Sequence, residues 1–189
     1  MLAEITSQLA AHRDVITRVE QELTPQIAEM VTVLVETFSR GGKLLVMGNG
    51  GSAADAQHFV AEIVSRFKME RRGLPAIALS TDTSILTAIG NDYGFDKVFR
   101  RQVEALAAAG DVVVGISTSG NSPNVQQGLE LAREMGCRTI GLLGKDGGSI
   151  KHCCDLALVV SSHDTPRVQE GHITIIHIVC DLLEKTLFA

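Results

Sequence analysis

The sequence predicts an α/β fold, a three-layer doubly wound parallel sheet preceded by an N-terminal helical arm. Two observations carry the prediction. From Lys43 onward short apolar runs alternate with helical stretches, and the runs are continuously apolar, as strands covered on both faces are. The length, 189 residues with 45% hydrophobic side chains, suffices for one such domain with a large core and is short for two.

Each element follows in turn. Residues 2–22 place Leu2, Ile5, Leu9, Val15, Ile16 and Val19 at helical spacing, the pattern of an amphipathic helix. A second helix is predicted from Thr24-Pro25, a cap followed by a first-turn proline, to a stop at Gly41-Gly42. A lone amphipathic helix of this length gains little by itself. Residues 1–42 are therefore expected to serve oligomer packing, and 43–189 to form the α/β core. The core strands are KLLVMG, PAIALS, DVVVGIS, TIGLLG and LALVV. Between and after them, helices are expected at about 53–67, 83–89, 95–107, 123–135 and 166–187, joined by right-handed crossovers. The chain shows no internal repeats, linkers or low-complexity segments.

Composition narrows the function classes. A net charge of -5 with 17 Lys+Arg argues against a broad nucleic-acid-binding face. The segment MLAEITSQLAAHRDVITRVEQEL carries charges throughout, so neither a signal peptide nor a membrane span is expected there, and the expected location is the cytoplasm. Cys137, Cys153, Cys154 and Cys180 have no CxxC spacing. They read as reduced thiols, and the adjacent pair is a poor candidate for an ordinary disulfide.

In sheets of this kind ligands bind beyond the carboxyl ends of the strands, where loops enter helix N-termini. Two such junctions stand out: Gly48-Asn49-Gly50-Gly51-Ser52 and Ser117-Thr118-Ser119-Gly120-Asn121-Ser122. Glycines admit close backbone approach, and hydroxyls beside free N–H groups suit a phosphate. Ser52-Ala53-Ala54-Asp55 also matches a capping box, and a cap and a ligand contact can share one helix start. Gly48-x-Gly50-x-x-Ala53 fits the loose dinucleotide fingerprint as well. The nearest strand-end acid, Asp82, lies 29 positions beyond Ala53, too far for that motif, and the second hydroxyl-rich loop favours a single phosphorylated ligand.

Two helix-borne pairs complete the candidate site. His58 and Glu62, at i,i+4, share one helix face. Gln169 and His177, eight residues apart, lie within about a quarter turn of each other, whereas His172 is turned away and reads as a packed or half-exposed histidine. Imidazole, carboxylate and amide oxygen together can hold a divalent ion, with zinc favoured by the two imidazoles. An ordinary solvated pair plus an unrelated core histidine explains the same spacing, and periodicity does not bring the two helices together.

The segments GNGGSAADAQHFVAEIVSRF, GNDYGF, GDVVVGISTSGNS, GKDGG and TPRVQEGHITIIHIVCDLLE, with the helical N-terminus, resemble the SIS (phosphosugar isomerase) domain, a flavodoxin-like fold, and within it the bacterial phosphoheptose isomerases. The resemblance spans nearly the whole chain. It implies one zinc per subunit at His58, Glu62, Gln169 and His177. It also implies sugar-phosphate contacts from Asn49, Gly50, Gly51, Ser52, Glu62, Asn91, Asp92, Ser117, Thr118, Ser119, Ser122 and Gln169, and catalysis by Glu62 and His177. The implied ligand is a phosphorylated seven-carbon sugar and the implied assembly a homotetramer with sites between subunits. The implied reaction converts sedoheptulose 7-phosphate to D-glycero-D-manno-heptose 7-phosphate through an ene-diol, for nucleotide-activated heptose synthesis, with no nucleic-acid or membrane partner. The alternative is a non-catalytic tetramer of the same fold that binds the replication initiator. Those relatives generally lack the Glu and the terminal-helix His that this chain has as Glu62 and His177. A phosphosugar-sensing regulator is disfavoured, since no DNA-binding module is attached. The segment 161–166 varies among relatives, and His163 within it reads as solvated.

Overall fold

The computed structural model describes residues 1–188. Five parallel strands, β1 (Leu44–Gly48), β2 (Ala76–Ala78), β3 (Val112–Ser117), β4 (Arg138–Gly144) and β5 (Leu156–Val160), form one sheet in the order β2-β1-β3-β4-β5. Pairing is in register at Leu45↔Ile77, Val46↔Val114, Val114↔Ile140 and Leu142↔Leu158. The chain leaves β1 for the edge strand β2 and then crosses back to β3 on the other side of β1. The strand order therefore reverses between β1 and β3, which is where open α/β sheets place their ligands.

Alternate strand residues feed two cores, as the two-residue period of a strand requires. Leu44, Val46, Val112, Val114, Ile140 and Leu158 face α1 (Leu2–Ser39), α2 (Gly51–Val64) and α6 (Thr165–Phe188). Leu45, Met47, Val113 and Leu143 face α4 (Val98–Leu106) and α5 (Pro123–Glu134). The remaining helix, α3 (Thr83–Tyr93), buries none of its residues within the chain.

The two helices expected before the sheet are one. Helix α1 runs unbroken through Pro25, so the start read at Thr24-Pro25 is corrected. An internal proline removes a hydrogen bond and strains the preceding turn at about 3 kcal/mol. Yet Val15, Val19 and Leu23 before it and Ile27, Met30, Leu34 and Phe38 after it continue one buried stripe. At roughly 1.5–3 kcal/mol for each large apolar side chain buried, keeping that stripe straight outweighs the defect. The stripe packs on the chain's own core from Val15 onward, while Met1, Leu2, Ile5 and Leu9 stay exposed. Less of the arm is therefore left for a neighbouring subunit than the sequence pattern implied. Two polar ties hold its first half to α6: His12 Nδ1 lies 2.7 Å from Glu170 Oε2, and Arg167 donates to the Gln8 carbonyl at 3.0 Å.

Smaller boundary differences share a cause, the glycines and short loops that start or stop helices. Helix α2 begins at Gly51 and ends at Val64, and the segment expected as one helix over 95–107 opens with a 3₁₀ turn, Phe95–Lys97. All four cysteines are free. Cys137 and Cys180 are buried, whereas Cys153 and Cys154 are partly exposed.

Candidate active site

The β1–α2 and β3–α5 loops meet at the point where the strand order reverses. Gly50 precedes α2 with φ +55°, a left-handed backbone that glycine adopts without a Cβ penalty. Gly50 is thus the cap and α2 starts at Gly51, so Ser52 sits inside the first turn, buried at 4% exposure and without a side-chain cap bond. The capping box read at Ser52–Asp55 is not formed. Asp55 instead lies one turn before His58 with its Oδ2 buried and without a hydrogen-bond partner among the described residues. Burial pushes the Asp55 carboxyl above its usual range, and nearby His58 partly offsets this.

The second loop is organised around Ser117, whose Oγ lies 2.9 Å from Ser122 Oγ and 3.4 Å from Ser119 Oγ. Ser122 precedes α5 with Pro123 in the first turn, so the hydroxyls gather at a helix N-terminus, where the partial positive charge favours an anion. A feature not anticipated from sequence joins the two loops. The Asn49 and Asn124 amides exchange two hydrogen bonds, each 2.9 Å, and Asn124 Oδ1 also accepts from the Val125 N–H at 2.9 Å. Asn49, expected as a ligand contact, has its side chain engaged in this lock. The β4 loop buttresses the arrangement: the Ile150 N–H donates to the Gly120 carbonyl and the Ser149 N–H to Asn121 Oδ1, both at 3.0 Å.

Helices α2 and α6 lie side by side, and the structure brings the two predicted pairs onto their shared seam. At one end the Gln169 amide lies directly against Gly51, where a Cβ would displace it. Two turns further along both helices, His58 and His177 stand edge to face, ring centroids 5.1 Å apart, and His58 Nε2 lies 3.0 Å from Glu62 Oε1. Phe67 stacks on the other side of His177, 5.5 Å between centroids with planes 28° apart. Burial and neighbouring His58 hold the His177 pKa below its usual value despite Glu62. A neutral imidazole, able to give or take a proton, therefore prevails near neutral pH.

The donor chemistry at His58, Glu62 and His177 suits zinc, and two imidazoles on one tetrahedral ion would hold their ring centres roughly 5 Å apart. No three His, Cys, Asp or Glu side chains among the described residues are assembled as a metal cluster. His58 Nε2 is bonded to Glu62, and the Gln169 amide lies against Gly51. The residue types and the proximity of His58, Glu62 and His177 fit the ion.

Just beyond the pair lies a buried clasp absent from the sequence reading. The Glu184 carboxylate accepts the backbone N–H groups of Phe67, Lys68 and Met69 at 2.8–2.9 Å and Arg71 Nε at 3.0 Å. Arg71 in turn donates to the carbonyls of Glu62 (2.7 Å), Ile63 (2.8 Å) and Ser65 (2.9 Å). Both side chains are 2% exposed. Burial alone would raise the Glu184 pKa, but the three N–H donors and Arg71 hold it below the usual range.

Asn91 and Asp92 are exposed near the end of α3, bonded to each other at 2.8 Å, and the chain does not bring them to the other candidates. His163 is exposed, as read. His172 is fully buried, its Nε2 donating to the Leu143 carbonyl at 2.9 Å, and burial lowers its pKa to about 4. A cavity of about 730 Å³ lies at the opposite, N-terminal edge of the sheet. It is lined by Arg40, Lys43, Asp111 and Arg138 among others, and none of the candidate residues reaches it.

Known proteins resemble the chain over its whole length. The SIS domain family model matches residues 9–144. The phosphoheptose isomerase of Citrifermentans bemidjiense is 73% identical over 188 residues, covering all of this chain and 98% of that protein. The phosphoheptose isomerase structure from Neisseria gonorrhoeae is 44% identical with a TM-score of 0.93, covering 98% of this chain and all of that one. The one from Francisella tularensis is 37% identical with a TM-score of 0.94, covering 97% and 98%. By fold, by whole-length likeness and by the loops and helical pairs described above, the chain belongs to the SIS-domain family and, within it, to the phosphoheptose isomerase group of enzymes.

Proposed function

We propose that the protein interconverts sedoheptulose 7-phosphate and D-glycero-D-manno-heptose 7-phosphate, in the cytoplasm and as a homotetramer. The observation that carries the reading is the α2–α6 seam, with a phosphate-type loop at one end and Glu62, His58 and His177 together two turns away. Seven residues separate Gly51 from His58, about 10 Å at a rise of 1.5 Å per residue. An extended chain advances roughly 1.2 Å per bond, so the seven bonds from phosphorus to C2 of a heptose 7-phosphate span about 8 Å. Adding a hydrogen-bond contact closes the gap, whereas a three- or four-carbon sugar falls short.

The protein's residues then divide the work. The backbone N–H groups of Gly50 and Gly51 and the hydroxyls of Ser52, Ser117, Thr118, Ser119 and Ser122 hold the phosphate, the Ser52 N–H being taken by the Asn49 carbonyl. Gln169, beside Gly51, orients the sugar chain. Glu62 removes a proton from C1 of the ketose and returns it to C2. His177 gives a proton to O2 and accepts one from O1, so the ene-diol collapses to the aldose with no net change in protons. Closure of the sugar end by Asn91 and Asp92 comes from a neighbouring subunit in this reading, which accords with an α3 that has no fully buried residue and packs on its own chain only through partly buried Leu86 and Ile89. His58, Glu62 and His177 would hold a zinc ion, with Gln169 joining them only by turning its amide away from Gly51, and the ion when bound would supply Lewis-acid polarisation of the sugar oxygens.

Incubating the pure protein with sedoheptulose 7-phosphate and following the aldose by NMR tests the reading, with five- and six-carbon phosphates alongside. Conversion of the heptose, with slower or absent conversion of the shorter sugars, is expected. A folded, zinc-supplied tetramer that converts none of them overturns it in favour of the initiator-binding alternative.

A further inference from the structure

Glu184 is an acid on a buried stripe, following Ile176 and Cys180 at four-residue intervals on α6. A carboxylate in such a place is rare unless paired. Its partners are the backbone of residues 67–69 and Arg71, none on its own helix. The irregular segment from Ser65 to Pro75 contains no helix or strand to fix it, so its conformation between Phe67 and Arg71 is set chiefly by what Glu184 accepts. Two consequences reach the seam. Arg71 closes the carboxyl end of α2 through the carbonyls of Glu62 and Ile63, groups that a helix end leaves without intrahelical partners. Its cation also sits at the negative end of the helix dipole. The same segment carries Phe67, whose ring lies against His177.

We infer that Glu184 and Arg71 are positioning residues for the isomerisation, fixing the backbone of Glu62 and, through Phe67, the ring plane of His177. The inference rests on the assignment of Glu62 and His177 as the proton-handling pair. It separates the reacting end of the site from the phosphate end. Nothing in the clasp touches the loops at 49–52 or 117–122, so loosening it displaces the groups that move protons and leaves the phosphate cradle intact. A misplacement of about 1 Å at reacting groups is worth on the order of 100-fold in rate.

The test compares Glu184→Gln, Arg71→Lys and Phe67→Leu with the unaltered protein. Three readouts are taken: kcat and KM on sedoheptulose 7-phosphate, inhibition by inorganic phosphate, and the His177 ring-proton NMR shift, which senses the Phe67 ring current. Glu184→Gln and Arg71→Lys are expected to lower kcat about 10–100-fold, with KM and phosphate inhibition within about threefold, and to move the His177 resonance. Phe67→Leu, which leaves the clasp bonds in place, is expected to move the same resonance and lower kcat less. Arg71→Ala should recover part of its kcat when millimolar guanidinium is added, a response that general loss of stability does not give. Folded variants with unchanged kcat and an unmoved His177 resonance overturn the inference. A loss confined to KM overturns it too. If the unaltered protein isomerises nothing, the fault lies with the proposed reaction, and the His177 resonance alone decides the positioning claim. If Glu184→Gln does not fold, Phe67→Leu and guanidinium rescue of Arg71→Ala decide it by the same criteria.

Discussion

Replacing Asn124 by alanine removes the lock between the two phosphate-type loops without touching a residue assigned to the chemistry. Asn124 is 2% exposed and makes three hydrogen bonds, two with Asn49 and one with the Val125 N–H. Each such bond contributes about 0.5–1.5 kcal/mol net, and a buried donor left without a partner costs about 1–3 kcal/mol. Asn49 is partly exposed, so water recovers some of its loss, whereas the Val125 N–H is buried. The balance is a destabilisation of roughly 2–4 kcal/mol. For a chain of this size that is a fall in Tm of about 5–15 °C. With the starts of α2 and α5 no longer fixed to each other, KM for the sugar phosphate and the inhibition constant for inorganic phosphate should rise roughly tenfold, about 1.4 kcal/mol. kcat should fall much less. Thermal melting and steady-state kinetics on Asn124→Ala, Asn49→Ala and the double variant give the coupling energy directly, expected at about 1–2 kcal/mol. Strictly additive single variants, or an Asn124→Ala protein melting within 1–2 °C of the parent with unchanged KM, would refute the lock.

Three further outcomes follow from the same geometry. Glu62→Gln should lower kcat by about 100–10,000-fold, the range for loss of a general base, while phosphate still inhibits or protects the protein; turnover within tenfold of the parent excludes Glu62 as the base. Chelation should lower activity and zinc restore it, and His58→Ala should purify with less bound metal by elemental analysis; full activity in metal-free protein removes the ion from the mechanism. His172, with a folded pKa of about 4 against about 6.5 unfolded, is neutral in the fold. The unfolded chain therefore gains the proton first as pH falls. Stability from this group is intact above about pH 6.5 and is lost toward pH 4, by up to about 1.4 kcal/mol per pH unit. His172→Gln, which keeps a donor for the Leu143 carbonyl, should flatten urea-unfolding midpoints across that window; an equally steep profile refutes the assignment.

The parts legible in the sequence are those set by local pattern. Continuous apolar runs located all five strands, and the hydroxyl-rich junctions marked both loops at the strand-order reversal. Where local rules misled, a longer-range term decided. Pro25 reads as a helix start by propensity, but the stripe from Val15 to Phe38 continues through it at four-residue spacing, and that spacing was present in the sequence. Ser52 reads as a cap, yet Gly50 at φ +55° starts the helix two residues earlier. The lock and the clasp are beyond such rules, since Asn49 and Asn124 are 75 positions apart and Arg71 and Glu184 are 113. One signal was available for the second: a carboxylate in register with Ile176 and Cys180 requires a buried partner. Nothing in Glu-Arg-Arg-Gly singles out Arg71 as that partner.

The placement of the two pairs separates the two ends of the proposed site. Gly51 meets Gln169, and His58 meets His177, so α2 and α6 run parallel and stay matched over two turns. On the proposed function, the amino end of that seam, with the Asn49–Asn124 lock, is the end that takes the phosphate. On the same proposal, the later turns, held by Glu184 and Arg71, are the end that moves protons. A relative that lost Glu62 and His177 would keep the cradle and the ligand and lose the reaction. In this chain the clasp binds the Glu62 carbonyl through a fully buried Arg71. A pair of charges costly to bury is thus placed where ring and carboxylate geometry has to be held, which is the expected arrangement for the chemical end of an isomerase site.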